Sequence, residues 1–448
     1  MPNARAPHWL NALRTALWAS GAVALGCGGN SGDGTPGNGG HEAGTSSSAG
    51  SSPASAGSGT MAVGGENPGG AGAASAGTGD GGAPGVAGAN SAGSAGGKAT
   101  AGAPGSAGSA GATGAAGAST KGGDLWISPT GNDSNAGTDA APLLNLPNAL
   151  ARVAPGSTIW VKAGTYAYAV VIKLSKSGTA AAPYTIAAVP GTRPLINFAT
   201  QPKDAAVSDS FRGFDIQGDY WRLSGFEVEN ASDNCVAISG SHNTIEDLTI
   251  HNCGDTGLQI TASSAQATDD TRAAANLILN CDSYDNFDPA TKGENADGFA
   301  AKLRIGPGNV FRGCRAYNNS DDGWDFFAAD DVVEVDGCWA FLNGKTSTNA
   351  ANPAGDGNGF KLGGKPTSAG EGGAVHLVKG SFAFQNLACG YTQNSNPEVP
   401  KLTACGAKDN ATDYCQTLSQ SGAVSMSMTA AQAKAVKRNA DGSLPAMK

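Results

Sequence analysis

Between residues 226 and 386 the chain repeats one short pattern: FEVEN (226–230), LTIHN (248–252), DSYDN (282–286), RAYNN (315–319), WAFLN (339–343) and FAFQN (382–386). Apolar and polar positions alternate in most copies, the period of a strand with one buried face, and every copy closes on Asn. The closing residues stand 22, 34, 33, 24 and 43 positions apart, which predicts a coil of about 22 residues carrying insertions of different size. Short strands, recurrent Asn at turns and variable insertions at fixed places predict an all-β solenoid, a right-handed parallel β-helix. Its Asn side chains (Asn230, Asn252, Asn286, Asn319, Asn343, Asn386) are expected to bond along a ladder. An irregular β-sandwich is the runner-up, but it leaves the persistence of the Asn register unexplained.

A second element follows each Asn: CVAI (235–238), GLQI (257–260), GFAA (298–301), GWDF (323–326), GFKL (359–362) and GYTQ (390–393). The residue after the Gly is usually large and apolar, hence inward, so alternation turns Ala237, Gln259, Ala300, Asp325, Lys361 and Thr392 outward as one solvent-facing column. Neighbouring strands lie about 4.8 Å apart, which makes Asp325 and Lys361 neighbours. Asp297 and Asp322 share another column just before Gly298 and Gly323, with Asp321 beside them in the turn. At the ends, Leu146, Ala149, Leu150 and Val153 form an apolar helical stripe ahead of a strand at 158–161, as in a solenoid cap, and residues 429–438 predict a C-terminal helix.

Four carboxylates, Asp297, Asp321, Asp322 and Asp325, thus converge on one patch, where they repel unless a cation sits between them. Oxygen donors without His or Cys specify a hard ion, and Ca²⁺ suits a flexible cluster better than Mg²⁺. The competing reading is that these aspartates cap turns or hold a structural ion.

Composition limits the folded part. Residues 28–123 are almost entirely Gly, Ala, Ser, Thr, Asn and Pro, a tract that buries no core and reads as a disordered tether, leaving 124–448 as the β-helix domain. Residues 1–27 read as a signal peptide whose end, Val23-Ala24-Leu25-Gly26-Cys27, resembles a lipobox with Cys27 as the lipidated residue, although Leu is usual where Ala24 stands. The expected location is secreted or at the cell surface, anchored only through that lipid. Eight further cysteines suit disulfides in an oxidising compartment; Cys281, Cys314 and Cys338 occupy equivalent places and stack, while Cys405 and Cys415 are close enough in sequence to pair. The five histidines show no ligand spacing. A formal charge of −9 argues against nucleic acid as a partner, and a bound cation would reverse the local sign that otherwise opposes an acidic polysaccharide.

The stretch GENADGFAAKLRIGPGNVFRGCRAYNNSDDGWDFF with the later GNGFKLGG closely resembles the pectate lyases of polysaccharide lyase family 9, and the start, WISPTGNDSNAGT through VKAGTY, resembles their opening; together the likeness covers residues 124–396. The resemblance implies a calcium-dependent β-elimination of polygalacturonate by a monomeric right-handed β-helix. It also implies Asp297, Asp321, Asp322 and Asp325 as ligands of the catalytic ion and Lys361 as the Brønsted base. The residues agree with that chemistry: the C5 proton of a uronate needs charge withdrawn from its carboxylate and a base within reach. Lys302, Arg304, Arg315, Lys345 and Lys365 are the local candidates for binding substrate carboxylates. Alternatives are a lyase for another uronan, a polygalacturonase-type hydrolase using the aspartates as acid and base, and a non-catalytic carbohydrate-binding β-helix. The stretch after residue 396 has no assigned role.

Overall fold

In a computed structural model, residues 123–203, 211–262, 273–348, 354–364 and 373–445 are described. The signal segment, Cys27, the tether up to residue 122 and Lys365 lie outside the described residues. The described chain winds through three parallel sheets, visiting each once per coil: eleven strands in the first, nine in the second and nine in the third. The first sheet starts at Leu125–Ile127, the second at Thr165–Ala167 and the third at Ile172–Leu174.

Inside, like stacks on like. Ile159, Ile186, Leu223, Ile245, Ile278, Phe311, Val335, Val378 and Leu402 form one unbroken buried column in the first sheet. The third sheet opposes it with Phe214, Val236, Leu258, Phe299, Trp324, Phe360 and Tyr391. Trp324 stacks on Phe299 and Phe360 at ring-centre distances of 5.1 and 4.7 Å. The second sheet turns in Ile196, Val228 and Ile250 in the earlier coils but only Ser283, Ala316, Ala340 and Ala383 in the later ones, where the third sheet presents the aromatic rings Phe299, Trp324, Phe360 and Tyr391.

The Asn ladder is real, but it starts later than the repeat suggests. Nδ2 of Asn286, Asn319, Asn343 and Asn386 each donates to Oδ1 of the next rung, ending on Asn410, at 2.8, 3.0, 2.9 and 2.8 Å. Asn230 and Asn252 are not rungs. Strand pairing aligns Glu227, Thr249 and Asp282, so these two asparagines fall level with Asp285, one position before the ladder. Asn230, Asn252 and Asp285 all have positive φ (62°, 55° and 56°), a turn conformation Asn and Asp tolerate through their short polar side chains. The two roles of Asn look identical in sequence.

Both expected terminal helices form, each shorter than the sequence suggests, and only the first is placed as an end cap. Helix α1, Leu146–Arg152, buries Leu146 and Ala149, and Lys176 Nζ donates to the carbonyls of Leu150, Ala151 and Val153 at its C-terminus. Helix α2, Ala430–Ala435, opens with a capping box between Thr429 and Gln432. The unassigned stretch after 396 makes one more coil, Lys401–Thr403, Gly406–Lys408 and Thr412–Cys415. The chain then crosses the outer face of the second sheet, laying Met426, Ala430 and Ala433 on Trp339, Phe341, Phe382 and Phe384. Disulfides join Cys235 to Cys253 and Cys389 to Cys415; Cys405 stays a buried thiol, so the sequence-local pairing with Cys415 does not form. Cys281, Cys314 and Cys338 stack as expected, with Cys314 N donating to Cys338 Sγ at 3.3 Å.

Candidate active site

The third sheet carries the site, and the ladder sets its register. Each third-sheet strand in this region begins with a glycine pressed against a rung: a Cβ on Gly298 would lie 2.8 Å from Asn319 Nδ2, and one on Gly323 2.8 Å from Asn343 Nδ2. Only glycine permits that approach, and it fixes the residue before it, Asp297 or Asp322, at the mouth of the strand. Strand pairing then gives the expected outward column, Ala237, Gln259, Ala300, Asp325, Lys361, Thr392. This column is not open to solvent. Asp325 is 4% and Lys361 9% exposed, with Lys302 against the first and Asp356 against the second.

Three of the four aspartates converge. Asp297, Asp321 and Asp322 each offer an oxygen within 4.8 Å of the others, all buried. Asp322 N donates to Asp297 Oδ1 at 3.2 Å, joining the two coils. Asp321 accepts from Asn295 N and Asp356 N at 2.9 and 2.6 Å. Asp322 Oδ1 accepts from Asn358 N and Nδ2 at 2.7 and 2.9 Å, but its Oδ2 is buried with no hydrogen bond. Lys361 Nζ lies 3.3 Å from that oxygen, 2.9 Å from Asp356 Oδ2 and 4.0 Å from Asp325 Oδ1. An unbonded carboxylate oxygen in a buried, all-oxygen donor set fits a hard divalent cation.

Electrostatics point the same way. Burial pushes Asp297 up to about 6 against the pull of Lys302, and pushes Asp321, with Asp297 adding to it, up to about 8. Asp322 stands well above the carboxylate range for the same reasons. Burial pulls the Lys361 ammonium toward neutrality, but Asp325, Asp322, Asp356 and Asp321 outweigh it and hold the proton. A cation among these carboxylates would offset the negative charge that now favours their protonation and holds the lysine's proton.

The basic candidates separate. Lys302 is no rim residue: it is buried, with Nζ 2.9 Å from Asp297 Oδ2 and 3.1 Å from Asp325 Oδ2. Arg315 belongs to the second sheet, where its guanidinium pairs with Asp282 and donates to the carbonyls of Ala433 and Val436, fastening the C-terminal segment. Arg304 follows the third-sheet strand of the Asp297 coil, beside Asp330, and Lys345 lies ahead of the strand that carries Lys361. Sequence reasoning overlooked Asp356 and Asn358, although Asn358 shares the register position of Asp297 and Asp322 and was readable from it. His251 is also placed between Glu227 and Glu229, on the second sheet and away from this cluster.

A sequence model described as "Pel9A-like, right handed beta helix region" matches residues 125–432. The chain belongs to this family. It is 41% identical over 295 residues to Pectate lyase L of Paenibacillus polymyxa, an alignment covering 64% of this chain and 63% of that protein. It is 38% identical to Pectate lyase L of Dickeya dadantii over 277 residues, 60% of this chain and 61% of that one. The chain therefore spans just under two thirds of the length of these relatives. Among solved structures, pectate lyase Pel9A superposes with a TM-score of 0.61 at 32% identity, over 73% of this chain and 88% of that one. A rhamnogalacturonan lyase at 24% identity and a TM-score of 0.57 shares the fold. As a Pel9A-like β-helix, the chain has the coil handedness expected of it, right-handed.

Proposed function

We propose that this protein is a calcium-dependent pectate lyase that cleaves polygalacturonate by β-elimination, with Lys361 as the base. The observation that carries the reading is the stacking of Lys361 directly on Asp325, one coil beyond the Asp297–Asp322 pair with its unbonded buried oxygen. The similarity to two proteins named Pectate lyase L supports it.

Asp297, Asp321, Asp322 and Asp325 are the residues that would hold the ion. Bound there, calcium supplies positive charge to the substrate carboxylate and so acidifies the neighbouring C5–H. The chain's own groups do the rest. Lys361, relieved of part of the carboxylate pull, accepts the C5 proton as a neutral amine; the C–H electron pair becomes the C4=C5 double bond, the C4–O4 bond breaks, and the departing oxygen takes a proton from solvent. Asp356, bonded to Lys361 Nζ, orients the amine. Arg304 and Lys345 remain the candidates for uronate carboxylates on either side, together with Lys365; Lys302 and Arg315 are withdrawn from that role by their buried ion pairs.

The reading places the enzyme outside the cytoplasm, as a monomer, with Cys27 as a lipid anchor at the head of the tether. The two disulfides support an oxidising compartment. The decisive experiment is incubation with polygalacturonate, following ultraviolet absorbance of the unsaturated product. Absorbance that rises with Ca²⁺, stops in EDTA and returns on adding calcium is expected. Reducing ends without absorbance would mean hydrolysis instead.

A further inference from the structure

Lys302 has no place in the mechanism above, yet it sits at the centre of the carboxylate cluster. It follows the strand Phe299–Ala301 in the Asp297 coil, and its side chain reaches across to Asp325 in the next coil. It spans the same two coils as the proposed ion ligands. At 8% exposure, with its ammonium between two carboxylates, it is not presented to substrate.

Lys302 holds Asp325, the one proposed ligand that stands apart from the other three. Asp325 is outside the group whose oxygens lie within 4.8 Å of one another; Lys302 Nζ takes its Oδ2 at 3.1 Å and Phe327 N donates to its Oδ1 at 2.9 Å. Asp297 Oδ2 is shared between Lys302 Nζ at 2.9 Å and Thr256 Oγ1 at 3.0 Å. For Asp325 to join the other three around one ion, the Lys302 contact must open or lengthen. Asp255 of the preceding coil adds to the negative field around its ammonium.

We propose that Lys302 is a built-in placeholder cation: it ties Asp297 to Asp325 whenever no divalent ion is bound, and gives up Asp325 when one binds. This rests on the calcium reading above. Like charges at this spacing repel, and a tethered ammonium relieves that repulsion without the ion. The same ammonium opposes the ion, so it sets how tightly calcium is held: stability of the unloaded site is gained at the expense of affinity.

The test compares the wild type with Lys302→Met, which keeps length and loses charge, and Lys302→Arg, which keeps charge. Calcium affinity is read by competition with Tb³⁺ luminescence, and melting temperature is measured in EDTA and in saturating Ca²⁺. Lys302→Met is expected to bind calcium about tenfold more tightly and to melt much lower in EDTA, with little change in calcium. Lys302→Arg should stay near the wild type in both. Equal or weaker calcium affinity in Lys302→Met overturns the proposal, and so does an equal loss of melting temperature in both buffers, or a chain that fails to fold even in calcium. A wild type that binds no calcium would bring down the calcium reading together with this one.

Discussion

The outer faces of the second and third sheets use the same scaffold to opposite ends. Both stack side chains in register from coil to coil. On the second sheet the stack is Tyr284, Tyr317, Phe341 and Phe384, with ring centres 4.8 to 4.9 Å apart, and it is favourable in itself. Over Phe341 and Phe384 it is sealed by the C-terminal segment, which Arg315 holds by its bonds to the carbonyls of Ala433 and Val436 and Arg438 holds through Asp282. On the third sheet the same repeat stacks Asp297 on Asp322 and Asp325 on Lys361. There it forces like charges together at Asp297 and Asp322 and sets an ammonium beside them. A parallel β-helix therefore fixes spacing, and the residues placed on that spacing decide whether a face is structural or reactive.

The comparison breaks most sharply at Lys361. Lys361→Ala should lower turnover by roughly 10²–10⁴-fold while calcium affinity stays within a few-fold, measured by product absorbance and Tb³⁺ competition. Retained turnover would move the base elsewhere. Trp339→Ala, on the sealed face, should do the reverse, costing about 3–5 kcal/mol of stability with little change in turnover below its melting temperature. Arg315→Ala sharpens the division further: removing one partner of a buried pair should cost about 3 kcal/mol and leave the KM for polygalacturonate unchanged. A raised KM with intact stability would return Arg315 to the substrate.

The smallest effect is a pH slope. Asp321, pushed up to about 8, binds more protons folded than unfolded between the usual carboxylate range and pH 8, so stability in EDTA should fall as pH rises across that window. His376, lowered to about 3 by burial, acts oppositely, but only up to its unfolded value of 6.5. From pH 6.5 to 8 the carboxylates act alone, and a decline of order 1–2 kcal/mol in EDTA should flatten in calcium, read from denaturant midpoints. A flat profile in both would show that these carboxylates are not protonated.

The fold was legible because the third-sheet register around the site is anchored by Gly298, Gly323 and Gly359, each pressed against a neighbouring coil, and that register carries Asp325 and Lys361 to their places. The second-sheet register was misread at Asn230 and Asn252, since asparagine serves both as a left-handed turn residue and as a ladder rung. Lys302 and Arg315 were misread for another reason. A charged residue shows no partner in sequence, and theirs come from neighbouring coils and, for Arg315, from a segment more than a hundred residues away. Asp356 lies in an insertion ahead of the strand, where no repeat position marks it, whereas Asn358 holds the register position of Asp297 and Asp322 but is an uncharged residue there.

The C-terminal segment has a consequence for the order of events in biosynthesis. Trp339, Phe341, Phe382 and Phe384 leave the ribosome well before residues 426–433 that cover them. Until the last few dozen residues arrive, the nascent solenoid carries a bare aromatic strip on one flank. That strip is a site for self-association, so a chain cut short near residue 420 should stack its coils and still aggregate.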